Sequence, residues 1–192
     1  MQEDFKTLAR IISDRRTIKP QQMNGGKIDD AVIEQLIALA DWAPTHGRTE
    51  PWRFYIFGTE KVATFCKDHA DMKRRAQPDL SDDSYQKLAD MGEMASHVIL
   101  PVMRRGDLPK IPVLEEIIAS SAAIQNLLLG AESLGIAVYW GTGGSVLQPE
   151  MKDYLQLRGE DQVLGALYLG YSDAPVKAGV RNTPLAEKIK WM

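Results

Sequence analysis

The chain contains one cysteine, Cys66, and only three histidines, His46, His69 and His97, which stand far apart in sequence. An intrachain disulfide is therefore excluded, and no Cys/His set has the spacing of a zinc site. Lysine and arginine number 23 against 26 aspartates and glutamates, so the formal charge is −3 and no basic surplus exists for a nucleic-acid backbone. The longest uncharged apolar stretch, residues 117–131, is interrupted by Ser120, Ser121, Gln125 and Asn126. It falls short of the ~20 apolar residues that span a bilayer. Residues 1–5 carry an early acidic pair and no apolar run of the secretory kind. These absences predict a cytoplasmic chain with no nucleic-acid or membrane partner. G-x-S-x-G, G-x-G-x-x-G, P-loop and EF-hand patterns are missing too. With no acid, base or nucleophile in view, any chemistry has to come from a bound cofactor.

What is present describes an ordinary folded domain. At 192 residues and 44% hydrophobic composition, folding hides about 70% of the unfolded surface, enough for a core without covalent staples. One domain over residues 1–192 is expected, with 171–192 as an irregular tail. Phe5, Leu8, Ala9, Ile11 and Ile12 recur at helical spacing and end near Asp14. Asp29 is a natural N-cap for a second helix carrying Val32, Ile33, Leu36, Ile37 and Ala40 before Pro44. Residues 52–57 read as a buried strand, 59–75 as a helix, 77–83 as a loop and 85–95 as another helix. A strand follows over 98–103, where Pro101 argues for a sheet edge or a bulge. Residues 113–134 form the longest helical pattern, apolar nearly all round and in need of burial on most sides. Strands over 136–140 and 162–169 and a short helix over 149–157 complete the set. Cys66, in an apolar helical patch, reads as a buried inert thiol.

Few residues suggest a site. Arg15, Arg16 and Thr17 stand where a helix gives way to a turn, with Lys19 beyond, and two guanidinium groups there could fork onto a phosphate. The plainer alternative is a solvated, dipole-complementing helix end. The loop of residues 43–51 and the turn Gly141-Thr142-Gly143-Gly144 are held by rigid elements, which is where sites are often built. Glu115 and Glu116 point about 100° apart on a helix, so a favourable N-terminal position explains them better than a paired-carboxylate role.

Taken together, Arg15-Arg16-Thr17-Ile18-Lys19, Ala43-Pro44-Thr45-His46, Pro51-Trp52-Arg53-Phe54 and the stretch from Gly135 to Gly143 resemble the nitroreductase family, most closely its short YdjA-like bacterial branch. The resemblance implies an α+β fold, a three-layer sandwich with a mixed central sheet, assembled as an intertwined homodimer with FMN at the interface. It implies that Arg15, Arg16, Thr17 and Arg181 hold the FMN phosphate and ribityl chain. Lys19 would approach the pyrimidine edge of the ring, where a cation favours the reduced anion. Trp140, Gly141 and Thr142 would lie along the ring, while His46 and Arg48 would come from the other subunit. The implied activity is hydride transfer from NAD(P)H through FMN to a small flat acceptor such as a nitroaromatic or quinone. A flavin-binding or flavin-sensing module without turnover is the alternative, and a helical interaction protein a third.

Overall fold

Helical and strand periods sort into three layers in the computed structural model, which describes residues 2–192. The middle layer is a five-stranded sheet of β1 (Trp52–Phe57), β2 (His97–Met103), β3 (Ala137–Gly141), β4 (Gln162–Val163) and β5 (Ala166–Gly170). Its order is β1-β2-β5-β3, with β4 also paired to β2, and these ladders are antiparallel. The parallel component is a bridge from Thr17 to Val138. That bridge fixes the N-terminal arginines beside β3.

Helices α2 (Asp30–Ala40) and α6 (Val113–Ser133) cover one face of the sheet. Their Ile33, Leu36, Ala123, Ile124 and Leu127 cluster with Ile99, Leu167 and Leu169. Burying a side chain such as Leu127 contributes about 1.5–3 kcal/mol. Although α6 is long and apolar enough to cross a bilayer by length and composition, it is a core helix here. On the opposite face α3 (Val62–Ala76), α5 (Met91–Met94) and α7 (Pro149–Tyr154) bring Phe65, Cys66, Met94 and Met151 onto Val98, Leu100 and Tyr168. Burial pushes the Cys66 thiol up to about 12, in keeping with an inert role.

Two caps explain where the helices begin. The Asp29 side chain accepts from the Ala31 N–H at 2.8 Å and opens α2. Ser81 does the same for α4 (Asp82–Ala89), accepting from the Ser84 N–H, so the expected loop of 77–83 is shorter than its composition suggests. The helix expected over 85–95 is two pieces, α4 and α5, separated at Asp90. Among the remaining elements, α1 (Glu3–Asp14) has no buried residue: Phe5, Leu8 and Ile12 are exposed. Beyond β5 the tail is irregular apart from a 3₁₀ turn at Leu185–Lys188.

Pro101 does not mark an edge. β2 is an interior strand with all seven residues buried, flanked by β1 on one side and by β5 and β4 on the other. Ile99 pairs with Leu167 and Val102 with Val163, so Leu100 and Pro101 face Leu164, Gly165 and Ala166. The extra residue is a bulge, with Gly165 at φ 130°. The Pro101 carbonyl accepts from the Leu164 N–H at 2.8 Å. In an antiparallel strand a residue's N and C=O face the same neighbour, so the nitrogen without a hydrogen meets the bulge rather than an intact ladder.

Candidate functional site

The first part of the site is a cationic cavity at the end of α1. Arg15 is the residue at which the chain leaves the helix, and 15–19 then run extended beside β3. Arg15, Arg16, Thr17 and Arg181 line one cavity of about 330 Å³, together with Lys177 and Gly179 of the tail. No carboxylate lies on that lining. The Arg16 guanidinium is positioned by carbonyls, its Nε donating to Lys177 at 3.1 Å and its Nη1 to Ser13 at 2.6 Å. A Cβ at position 179 would stand 2.6 Å from the Arg16 Cζ, so glycine is what lets the tail descend onto this arginine. Arg16 does complement the end of α1 through the Ser13 carbonyl, as the plainer sequence reading has it, and the tail laid over that end makes it the wall of a cavity as well.

The second part is a cavity of similar volume on the far side of residues 18–22, lined by Gly141, Gly143, Gly144, Tyr139, Leu88 and Met91 among others. Tyr139 and Gly141 share a face of β3, and a Cβ on Gly141 would collide with the Tyr139 ring at 2.6 Å. The neighbouring Trp140 therefore points the other way. Its Nε1 donates to the Leu164 carbonyl at 2.9 Å and clamps the bulge. Trp140 and Thr142 do not line the cavity, and Lys19 lies exposed on the segment between the two cavities.

His69 is a residue that sequence reasoning passed over. It is 1% exposed on α3, and its Nε2 accepts from the Ser145 N–H at 3.0 Å, which ties down the Gly141–Gly144 turn. The Nδ1 atom has no partner among the described residues. Desolvation, helped by Lys73, pushes its pKa down to about 4, so the imidazole is neutral. Gly144, at φ 69°, packs where a Cβ would enter that ring. The periodicity of Val62, Phe65, Cys66 and His69 on the buried face of α3 was the available signal.

His46 and Arg48 sit in a 3₁₀ turn after α2. The His46 Nδ1 donates to Glu115 Oε2 at 2.6 Å. Arg48 lines a separate cleft, and neither residue shares a cavity with Arg15 or Gly141 of its own chain. Glu116, the neighbour of Glu115, is buried and receives Arg105 Nη1 at 2.6 Å. Both glutamates are thus engaged in specific pairs, beyond the helix-end role expected of them.

The fold that carries this arrangement has counterparts among known proteins. Nitroreductase family sequences match residues 12–171. The chain belongs to the nitroreductase family. YfhC of Bacillus subtilis (strain 168), an NAD(P)H nitroreductase by name, is 26% identical over 186 residues, covering 96% of this chain and 94% of its own. The crystal structure of a nitroreductase-like family protein from Bacillus cereus superposes with a TM-score of 0.80 at 23% identity, covering 96% of this chain and 95% of that one. The FMN-dependent nitroreductase NfnB of Mycobacterium smegmatis, in complex with NADPH, gives 0.72 at 15% identity over 99% of this chain and all of its own. Membership makes this chain a nitroreductase-type oxidoreductase with the family's α+β fold. Arg181 lies beyond the matched segment, so it is the fold that brings it to Arg15.

Proposed function

We propose that this nitroreductase-family chain binds FMN and transfers hydride from NAD(P)H to a flat acceptor such as a nitroaromatic or quinone. The observation that carries this reading is the convergence of Arg15, Arg16, Thr17 and Arg181 on a cavity without carboxylates, beside a second cavity floored by glycine backbone. A phosphate dianion needs forked cations and no competing acid, which is what the first cavity offers. A flat ring needs close backbone approach, which Gly141 and Gly143 permit. When bound, FMN supplies the two-electron chemistry that no side chain here provides.

Each residue then has a task. Arg15, Arg16 and Arg181 hold the phosphate, and Thr17 offers its hydroxyl to the same end of the cofactor. Lys19, on the segment between the cavities, places a positive charge toward the pyrimidine edge and favours the reduced form. His69 fixes the glycine turn, and Trp140, turned to the other face of β3, braces that strand against the bulge at Leu164. Water supplies the protons, so the protein's contribution is orientation over one face of the ring.

The reading includes a homodimer, because α1 shows Phe5, Leu8 and Ile12, and α6 shows Leu114 and Ile118, to solvent. A second copy covering them brings His46 and Arg48 of the partner subunit to the flavin.

Two measurements test this. Losing one charged hydrogen bond costs ~1.5–3 kcal/mol, so Arg15→Ala should weaken FMN binding by roughly 10- to 100-fold in a fluorescence titration. Equal affinity in the variant refutes the phosphate assignment. His46→Ala should lower turnover while FMN binding survives. In heterodimers of His46→Ala with Arg15→Ala chains, a site built across the interface leaves one site doubly defective and the other intact. Activity near wild type per intact site should reappear; if mixing restores nothing, His46 does not act in trans.

A further inference from the structure

A second cationic region lies at the other end of the sheet, away from the phosphate cavity of Arg15. Two adjoining clefts of about 330 and 220 Å³ share Arg53, Arg104 and Arg158, and the larger adds Arg48 and Arg105. Five guanidinium groups, two of them from the consecutive Arg104 and Arg105, meet there in a chain whose formal charge is −3.

Two of the five are committed. Arg105 donates to Glu116 at 2.6 Å and to the Ile111 carbonyl at 2.8 Å, and Arg158 pairs with Asp161 at 3.0 Å. Arg53 is braced by the carbonyls of Glu50 and Trp52 at 2.9 and 2.6 Å, which hold it in place and leave its charge uncompensated. Among the described residues Arg48 and Arg104 have no carboxylate within salt-bridge distance. With Asp161 taken by Arg158, the larger cleft sets only Asp107 against Arg48, Arg53 and Arg104. The turn that carries Arg48 also holds left-handed backbone at two non-glycine positions, Arg48 at φ 54° and Glu50 at φ 42°. Such conformations persist where the surroundings over-determine them, as in ligand clamps.

We propose that this arginine cleft is a subsite for the 2′-phosphate of NADPH, so that the chain selects the phosphorylated dinucleotide over NADH. Planar guanidinium forks fit a phosphate monoester, which carries close to two negative charges near neutral pH. The proposal rests on the flavin reading above, because Arg48 belongs to the same turn as His46. On that reading the turn meets the flavin of the other subunit. Gly47, Arg48 and Thr49 of that turn line the larger cleft, so the cleft is continuous with the segment at which the nicotinamide of a bound dinucleotide would lie.

The test uses the full-length, flavin-loaded protein, with kcat/KM measured for NADPH and NADH and with 2′,5′-ADP binding read by calorimetry. Wild type should favour NADPH by at least about tenfold. Loss of one charged hydrogen bond in Arg104→Gln or Arg53→Gln should lower that ratio by about 10- to 100-fold. The affinity for 2′,5′-ADP should fall in parallel, with FMN content unchanged. A wild-type ratio near or below one overturns the proposal, as do variants that keep the ratio and the 2′,5′-ADP affinity. Tight binding of inorganic pyrophosphate without binding of 2′,5′-ADP overturns it as well, since the site would then take free anions. Because calorimetry does not depend on turnover, the subsite is tested even if the protein takes up no FMN, an outcome that defeats the flavin reading alone.

Discussion

Replacing Glu116 with leucine should remove about 3–5 kcal/mol of unfolding free energy, because it strands the charge of Arg105 in a site where that side chain is only 12% exposed. Glu116 also accepts the Gly106 N–H at 3.1 Å, so the substitution frees a backbone donor in the loop before α6. The double variant Arg105→Leu/Glu116→Leu, which removes both charges, should recover a large part of the loss. Urea unfolding at one fixed protein concentration measures both, since an associating chain gains apparent stability with concentration. A single variant within about 1 kcal/mol of wild type would show that the pair is not buried as described.

Acidification should produce the second large effect. His69 has its folded pKa lowered from 6.5 to about 4. Above pH 6.5 neither state binds the proton and the contribution to stability is complete. Below it the unfolded chain takes up the proton while the folded chain refuses it until pH about 4, so stability falls as pH drops across that window. At 1.36 kcal/mol per unit the loss amounts to roughly 3 kcal/mol. Carboxylates titrate nearby in pH, so the measurement is a difference: His69→Gln, which keeps an acceptor for Ser145, should show a shallower pH slope than wild type by about that amount. Identical slopes would mean that the imidazole protonates freely in the folded protein. Because His69 ties down the Gly141–Gly144 turn, flavin release should accompany its protonation.

Local signals carried much of the fold. Asp29 caps α2 where its side chain predicts, and the uninterrupted period of 113–134 becomes α6, ending at Ser133 with Gly135 in the left-handed conformation at φ 69°. The rest shares a cause, which is dependence on distant chain. Pro101 argues for an edge or a bulge, and the choice between them falls to the bulge only through residues 164–166, which lie opposite it from distant chain. The helix over 85–95 breaks at Asp90, where α5 packs so closely on α3 that a Cβ on Gly92 would lie 2.6 Å from the Ala63 Cα.

The site shows the same division. Arg15 and Arg16 were visible as a pair, but their meeting with Arg181 depends on a tail more than 160 residues away. His69 draws no notice in the sequence and Glu116 reads there only as a helix-end carboxylate, because their partners, Ser145 and Arg105, lie in other elements. The arginine cleft draws on segments around residues 48, 53, 104 and 158, no two of which form a run that composition would flag.

Anaerobic titration of the purified protein asks most directly whether the chain is a flavin enzyme. A protein-bound flavin absorbance band should bleach stoichiometrically with NADPH and return when benzoquinone is added. A colourless protein that takes up no added FMN, or a bound flavin that NADPH and NADH both leave oxidised, would contradict it.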